Sequence, residues 1–258
     1  MKTVLSIAAS DPSGGAGIQA DLRAISAHGL YGMAVPTALT VQNTLGVTGV
    51  HVPAPEFLAR QLRAVLTDIR PDAVKIGAVP GADHARAAAG LLREYRAGNV
   101  VFDPVLASTS GAALGTAEAV AVLAPVILLL TPNLPEAEKL LGLPAGSVRS
   151  AADMVSAAEA LSRQYGVAVL LKGGHRSDGA FDDFFQPSGQ PGEWFPTRTV
   201  RSRGGNHGTG CLLSSSIACG LAAGLTLPES IRRAKDRLTD ALERGLVLGH
   251  GNGPVDFR

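Results

Sequence analysis

The run "GGNHGTGCLLSSSIACGLAAG" at 204–224 places glycine, threonine, glycine and cysteine where a helix begins. Gly208 and Gly210 free the backbone there. The amides of Gly208 to Cys211, with Thr209 among them, would converge on an anion at the helix N-terminus. A cradle of this kind stabilises charge on a transferring phosphoryl group, a reaction that needs positioning, a metal and an anion hole more than covalent chemistry. Other parts for that chemistry lie elsewhere in the chain. Asp103 ends one apolar run, and Asn133 with Glu136 follows another. Oxygen ligands of this type suit Mg²⁺ that rides on phosphates. "TPNLPE" is equally a helix start, with Asn133 as cap and Glu136 at the third helical position, and the two roles can coexist. Lys172, ahead of Gly173 and Gly174, can meet a phosphate. "DPSGGAG" at 11–17 is neither a Walker A loop nor a spaced G-x-G-x-x-G. It reads either as an anion-approach loop or as a plain tight turn. Cys211 also has two readings. Its thiol, with a pKa lowered by the helix N-terminus, accepts the proton of a substrate hydroxyl, or its backbone amide alone does the work.

These residues need a scaffold that brings strand ends together. Apolar runs at 3–9, 34–40, 72–77, 99–103, 126–131 and 167–172 read as buried strands. Helices are expected at 17–27, 83–95, 134–141 and 151–165, with a further apolar stripe at Leu58, Leu62, Val65 and Ile69. This alternation implies right-handed βαβ units: an α/β fold with a doubly wound, mostly parallel sheet flanked by helices. "GAFDDFFQPSGQPGEWFPTRTV" at 179–200 is expected to form a small antiparallel hairpin near one sheet edge. The turns "ASDPSGGAG", "TVQNT", "KIGAVPG", "DPVLASTSG", "TPNLPE" and "KGGH" then share the rim beyond the strand ends, where such sheets collect ligands. No linker or repeat divides the chain, so 1–258 is expected to be a single domain.

Composition narrows the class. With 46% hydrophobic and 17% charged residues, the 258-residue chain can bury a substantial core. A formal charge of +1 gives no reason to expect nucleic acid or an anionic membrane as partner. "MKTVLSIAASDPSGG" has an apolar run too short for a signal peptide, and "VLAPVILLL" is under half a membrane span. Two cysteines, eight positions apart on one expected helix, suit neither a disulfide framework nor a zinc pair. A soluble protein of the reducing cytoplasm is expected.

With these residues assembled, the chain resembles the hydroxymethylpyrimidine/phosphomethylpyrimidine kinases of thiamine biosynthesis, a branch of the ribokinase-like superfamily. "SDPSGGAGIQADL", "YGMAVPTALTVQNTLGV", "DAVKIG", "DPVLASTSG", "TPNLPEAEKLLG", "LLKGGH", "HGTGC" and "GHGNGPV" carry the likeness from end to end, in the family's order. The resemblance implies phosphorylation of 4-amino-5-hydroxymethyl-2-methylpyrimidine, and then of its monophosphate, with ATP and Mg²⁺. It implies a pyrimidine pocket lined by Ala16, Asp21, Gln42, Ala78 and Val105. Asp103 and Glu136 would serve the metal, Asn133, Lys172 and Thr209 the nucleotide phosphates, and Gly208, Gly210 and Cys211 the anion hole. The aromatic hairpin and the last two helices would flank the nucleotide, and a homodimer is the family's usual form. The chain departs from the pattern at Ala78, Thr109 and Asn206, where many members carry methionine, lysine and threonine. Bacterial pyridoxal kinases look similar and are the nearest rival; "TVQNT" favours the pyrimidine branch. Ribokinase-type sugar kinases carry aspartate at the position of Cys211. A non-catalytic homologue that keeps the pocket is the third reading.

Overall fold

The computed structural model describes residues 1–107, 111, 113–174, 182–198, 200 and 204–258. Thr109, His175 and the first residues of the expected aromatic hairpin lie outside them. Along the chain the strands are β1 (Thr3–Ser10), β2 (Tyr31–Asn43), β3 (Gly46–His51), β4 (Ala73–Ile76), β5 (Val100–Phe102), β6 (Leu129–Leu130), β7 (Ala168–Leu171), β8 (Asp183–Gln186) and β9 (Glu193–Phe195). The helices are α1 (Gly17–Ala27), α2 (Pro55–Asp68), α3 (Ala82–Glu94), α4 (Ala117–Leu123), α5 (Leu134–Leu141), α6 (Ala151–Tyr165), α7 (Thr209–Ala222) and α8 (Leu227–Arg244).

The strands form one nine-stranded sheet in the order β3-β2-β1-β4-β5-β6-β7-β8-β9. From β2 to β7 neighbours run parallel, while β3, β8 and β9 are antiparallel additions at the two edges. Period-two alternation divides the core. Leu5, Ile7, Val74, Ile76 and Phe102 face α2, α3, α5 and α6, whereas Val4, Ala73, Val101 and Leu129 face α7 and α8. Both faces are covered, as a parallel sheet requires. A smaller cluster joins α1, α7 and α8 to Val255 and Phe257 of the C-terminal segment. Strand order reverses at β1, which opens a crevice between the ends of β1 and β4.

Local chemistry sets the boundaries. α5 starts in a capping box, with Asn133 Oδ1 accepting from Glu136 N at 2.9 Å and Glu136 Oε2 accepting from Asn133 N at 2.8 Å. α6 and α8 repeat the device with Ser150/Asp153 and Thr226/Glu229. α7 is different: nearly every residue is buried, so it runs through the interior as a helix of small and apolar side chains.

Two expectations are corrected here. "TVQNT" is not a rim loop after a strand: β2 continues through Asn43 and folds back as β3, with Leu45 N donating to Asn43 Oδ1 at 2.9 Å in the turn. "VILLLT" yields only the two-residue β6, because the preceding 124–126 segment winds into a 3₁₀ turn around Pro125.

Candidate active site

Two clefts meet at the carboxyl ends of the parallel strands. The first, about 520 Å³, lies in the crevice between β1 and β4 and is floored by the start of α7. The second, about 430 Å³, lies between the β8–β9 hairpin and helices α7 and α8. Asn133, Lys172, Asn206, Thr209 and Gly210 line both and form the junction. Ala16, Gln42, Ala78, Val105, Asp103, Glu136, Gly208 and Cys211 line the first. Of the residues expected to hold substrate, phosphates or metal, all of them described, Asp21 alone is absent from its walls.

Asp21 is a correction. It is fully buried and outside the cleft's lining, accepting from Ser6 Oγ at 2.6 Å and Ser215 Oγ at 2.9 Å, and pairing with Lys75 Nζ at 2.8 Å. A buried carboxylate must be compensated, and Asp21 is satisfied by the core rather than by a ligand.

At the junction, Lys172 Nζ donates to Asp103 Oδ1 at 2.8 Å. Burial works against the Lys172 charge, but Asp103 and Glu136 outweigh it and hold the ammonium protonated. Burial also pushes the Glu136 carboxyl up to about 7; Lys172 pulls against that shift and Asp103 adds to it. The second Asp103 oxygen faces α7, 3.1 Å from where a side chain on Gly210 would begin. Among the described residues no three His, Cys, Asp or Glu side chains gather as a metal cage. Asp103 and Glu136 with the Asn133 amide are a sparse oxygen set, which fits a largely hydrated Mg²⁺ held mainly through phosphates.

α7 opens at Gly208, whose φ of +87° makes the left-handed turn into the helix. The first internal bond of that turn is Leu212 N to Gly208 O at 2.8 Å, so the amides of Gly210 and Cys211 precede the regular ladder. The "DPSGGAG" glycines allow two loops to interlock. A Cβ on Gly15 would strike the His207 ring at 2.4 Å. Asp11 holds the same loop by accepting from Ser13 N and Ala16 N, each at 2.9 Å.

His207 was missed in the sequence, although it begins "HGTGC". Its Nε2 lies 3.0 Å from Asp11 Oδ2 and 3.1 Å from the Gln42 side-chain amide. Gln42 thus meets the ring through its amide nitrogen, while its Oε1 lies 3.2 Å from Thr40 Oγ1, whose hydroxyl also reaches Ser10 O at 2.9 Å. Asp11, His207 and Gln42 form one polar chain along the cleft wall.

Cys211 is buried, and burial pushes its thiol up to about 11 against the pull of Lys75 and a Gly17 amide. Of the two readings of Cys211, burial of the thiol favours the backbone amide over a thiolate base. Two results are expected. Cys211→Ala keeps kcat within about tenfold, below the loss that a general base would give. The native thiol reacts with iodoacetamide about 100-fold more slowly at pH 8 than an unperturbed thiol, from its thiolate fraction alone. An alkylation midpoint below pH 9 would reverse the assignment.

The fold and site together define a phosphotransferase of the ribokinase-like class: a doubly wound sheet with two clefts that meet at the start of α7. Solved structures agree. The ADP complex of Bacillus subtilis pyridoxal kinase superposes with a TM-score of 0.88 at 31% identity, covering 100% of this chain and 97% of that one. Phosphomethylpyrimidine kinase from Clostridium difficile gives 0.79 at 37% identity, covering 93% and 99%. The phosphomethylpyrimidine kinase family model matches residues 11–256, and the chain belongs to that family. The hydroxymethylpyrimidine/phosphomethylpyrimidine kinase of Rhizobium meliloti is 44% identical, over 97% of this chain and 95% of its own length. The thiamine biosynthesis bifunctional protein of Geobacter sulfurreducens is also 44% identical, but the chain spans only 52% of it.

Proposed function

We propose that this chain is a single kinase domain that phosphorylates 4-amino-5-hydroxymethyl-2-methylpyrimidine, and then its monophosphate, with ATP and Mg²⁺ in thiamine biosynthesis. The first cleft takes the pyrimidine and the second the nucleotide. One observation carries the reading: the clefts meet at Asn133, Lys172, Thr209 and Gly210, beside Asp103, so acceptor and phosphates come together at a cation and an anion cradle. Gln42 meets the aminopyrimidine edge, with Ala16, Ala78 and Val105 against the ring. Asn133, Lys172 and Thr209 hold the nucleotide phosphates. Gly208, Gly210 and Cys211 supply amides to the transferring group, and Mg²⁺, held by Asp103 and Glu136, offsets phosphate charge. ADP formation with the pyrimidine alcohol and with pyridoxal, each with and without Mg²⁺, tests the proposal. Faster turnover of pyridoxal would move the chain to the rival activity, which the TM-score of 0.88 to a pyridoxal kinase keeps in play. The higher identity, 37% against 31%, is to the phosphomethylpyrimidine kinase structure.

Ala78 bears on substrate fit. Its side chain packs in a patch with Ala9, Ala38, Val105 and Leu114, while Val79 turns into the main core and leaves Ala78 small. Ala78→Met is expected to lower KM for the alcohol by about tenfold, the scale of an apolar contact in a pocket, and to reject bulkier 2-substituents that the native chain accepts. Equal KM values for both substrates in both proteins would remove Ala78 from the specificity account.

We further propose a cytoplasmic homodimer. The free thiols of Cys211 and Cys219 suit a reducing compartment. The β2–β3 hairpin ends the sheet with Leu39, Val41 and Val50 exposed, a surface for a second copy. No helix among the described residues is long and apolar enough to cross a membrane. Sedimentation at twice the 26.4 kDa chain mass is expected, and a monomer at micromolar concentration would refute the dimer.

A further inference from the structure

The Asp21–Lys75 pair is fully buried, with no exposure of either side chain. Replacing such pairs with apolar residues is often neutral or stabilising, so burial alone does not account for it. The pair is also oriented. Asp21 lies behind the cleft and takes donors from β1 (Ser6), β4 (Lys75) and α7 (Ser215), while Lys75 belongs to the cleft's lining. Gly77 packs directly against the ammonium, since a Cβ there would lie 2.9 Å from Nζ. Cys211, at the start of α7, is a close electrostatic neighbour of Lys75.

The cleft needs such a charge. Its walls hold the carboxylates of Asp11, Asp103 and Glu136, and a nucleotide adds more negative charge. Lys172 serves the junction beside Asp103, and Lys139 stands in solvent at the rim. Lys75 is the remaining lysine of the lining, sealed from water, where a fixed charge acts through a low dielectric.

We propose that the Lys75–Asp21 pair is a fixed dipole beneath the acceptor end of the cleft, its ammonium end stabilising negative charge on the acceptor oxygen and the phosphoryl group during transfer. The inference rests on the acceptor reading of the first cleft. In that step the acceptor oxygen bonds to the γ-phosphorus, and the bond from phosphorus to the ADP oxygen breaks with its electron pair leaving on ADP. The hydroxyl proton passes to a non-bridging oxygen of the transferred group. Lys75 gains and loses nothing; it acts by its field alone.

The test replaces both charges at once, Asp21→Asn with Lys75→Met, so that neither is left unpaired. The expected result is a fall in kcat of roughly 100-fold with KM for ATP and for the alcohol within about threefold, the pattern of an interaction made in the transition state. Calorimetry supplies a second readout. In the native protein the alcohol should tighten binding of ADP with aluminium fluoride; in the double variant that tightening should vanish while ADP alone binds as before. A kcat within threefold of native, or retained tightening, would overturn the proposal. A native protein that turns over neither the pyrimidine nor pyridoxal would instead overturn the functional reading. Should the variant not fold, ε-¹⁵N-lysine NMR of the native protein decides. The lysine resonance slowest to exchange with water should shift when ADP, aluminium fluoride and alcohol are all present, and an unmoved resonance would refute the proposal.

Discussion

Gly208→Ala is expected to lower kcat by roughly 100-fold, about 2.7 kcal/mol of transition-state stabilisation. The position has φ +87°, and a Cβ would sit 2.0 Å from the backbone oxygen of Gly15 and 3.1 Å from Phe257 Cζ. A backbone carbonyl cannot swing aside as a side-chain tip can. The turn must therefore move, carrying the amides of Gly210 and Cys211 with it. Misplacement on the ångström scale is enough for a loss of this size. Left-handed strain adds about 1 kcal/mol to the cost in stability. Gly142→Ala is the control: it ends α5 at φ +67° with nothing within 4 Å of a new Cβ. Both variants should lose thermal stability, but Gly142→Ala should keep its kcat. Gly208→Ala within fivefold of native kcat would show that these amides do not carry the transfer.

The sequence revealed most where a local rule decides the structure. α5 and α6 match their expected spans because Asn133 and Ser150 cap one end and left-handed Gly142 and Gly166 close the other. Most candidate site residues were legible because strand ends in this topology converge, so polar and glycine-rich turns far apart in the chain become neighbours. What eluded the sequence depends on long-range partners. Asp21 lies on a helix and reads as a ligand until Lys75, 54 positions away, is seen to neutralise it. A lysine inside the apolar "DAVKIG" was the available signal, since a strand buried on both faces tolerates an ammonium only beside a carboxylate. The two readings of Cys211 stayed open in the sequence for a related reason: a helix N-terminus is visible there, while the depth at which it is buried is not. The β2–β3 hairpin was hidden because its residues stay half-exposed at an edge, where the apolar signal is weak.

Lys172→Met is expected to give the larger loss, roughly 1,000-fold in kcat, with a raised KM for ATP. Its ammonium is 2.8 Å from Asp103 and lines both clefts, and methionine keeps the stem while deleting the charge. Its position is set by the backbone: Lys172 N donates to Pro132 O at 2.9 Å, which binds the end of β7 to the turn before α5. Without the cation, Asp103 and Glu136 confront each other and the incoming phosphates uncompensated. The consequence has a sign. Burial already holds the Glu136 carboxyl near 7, with Lys172 pulling it down. Removing that pull raises it further, so Glu136 stays protonated to higher pH and loses the charge that a metal needs. The acidic limb of the kcat/KM profile should therefore move to higher pH in Lys172→Met. In the native protein Glu136 has a folded pKa above its unfolded value, so its contribution to stability is full below about 4.5 and lost as pH rises through about 7. Steady-state profiles of both proteins across this range test the coupling. An acidic limb that stays in place, or a kcat reduced less than tenfold, would mean that Lys172 neither compensates Glu136 nor holds the transferring phosphate.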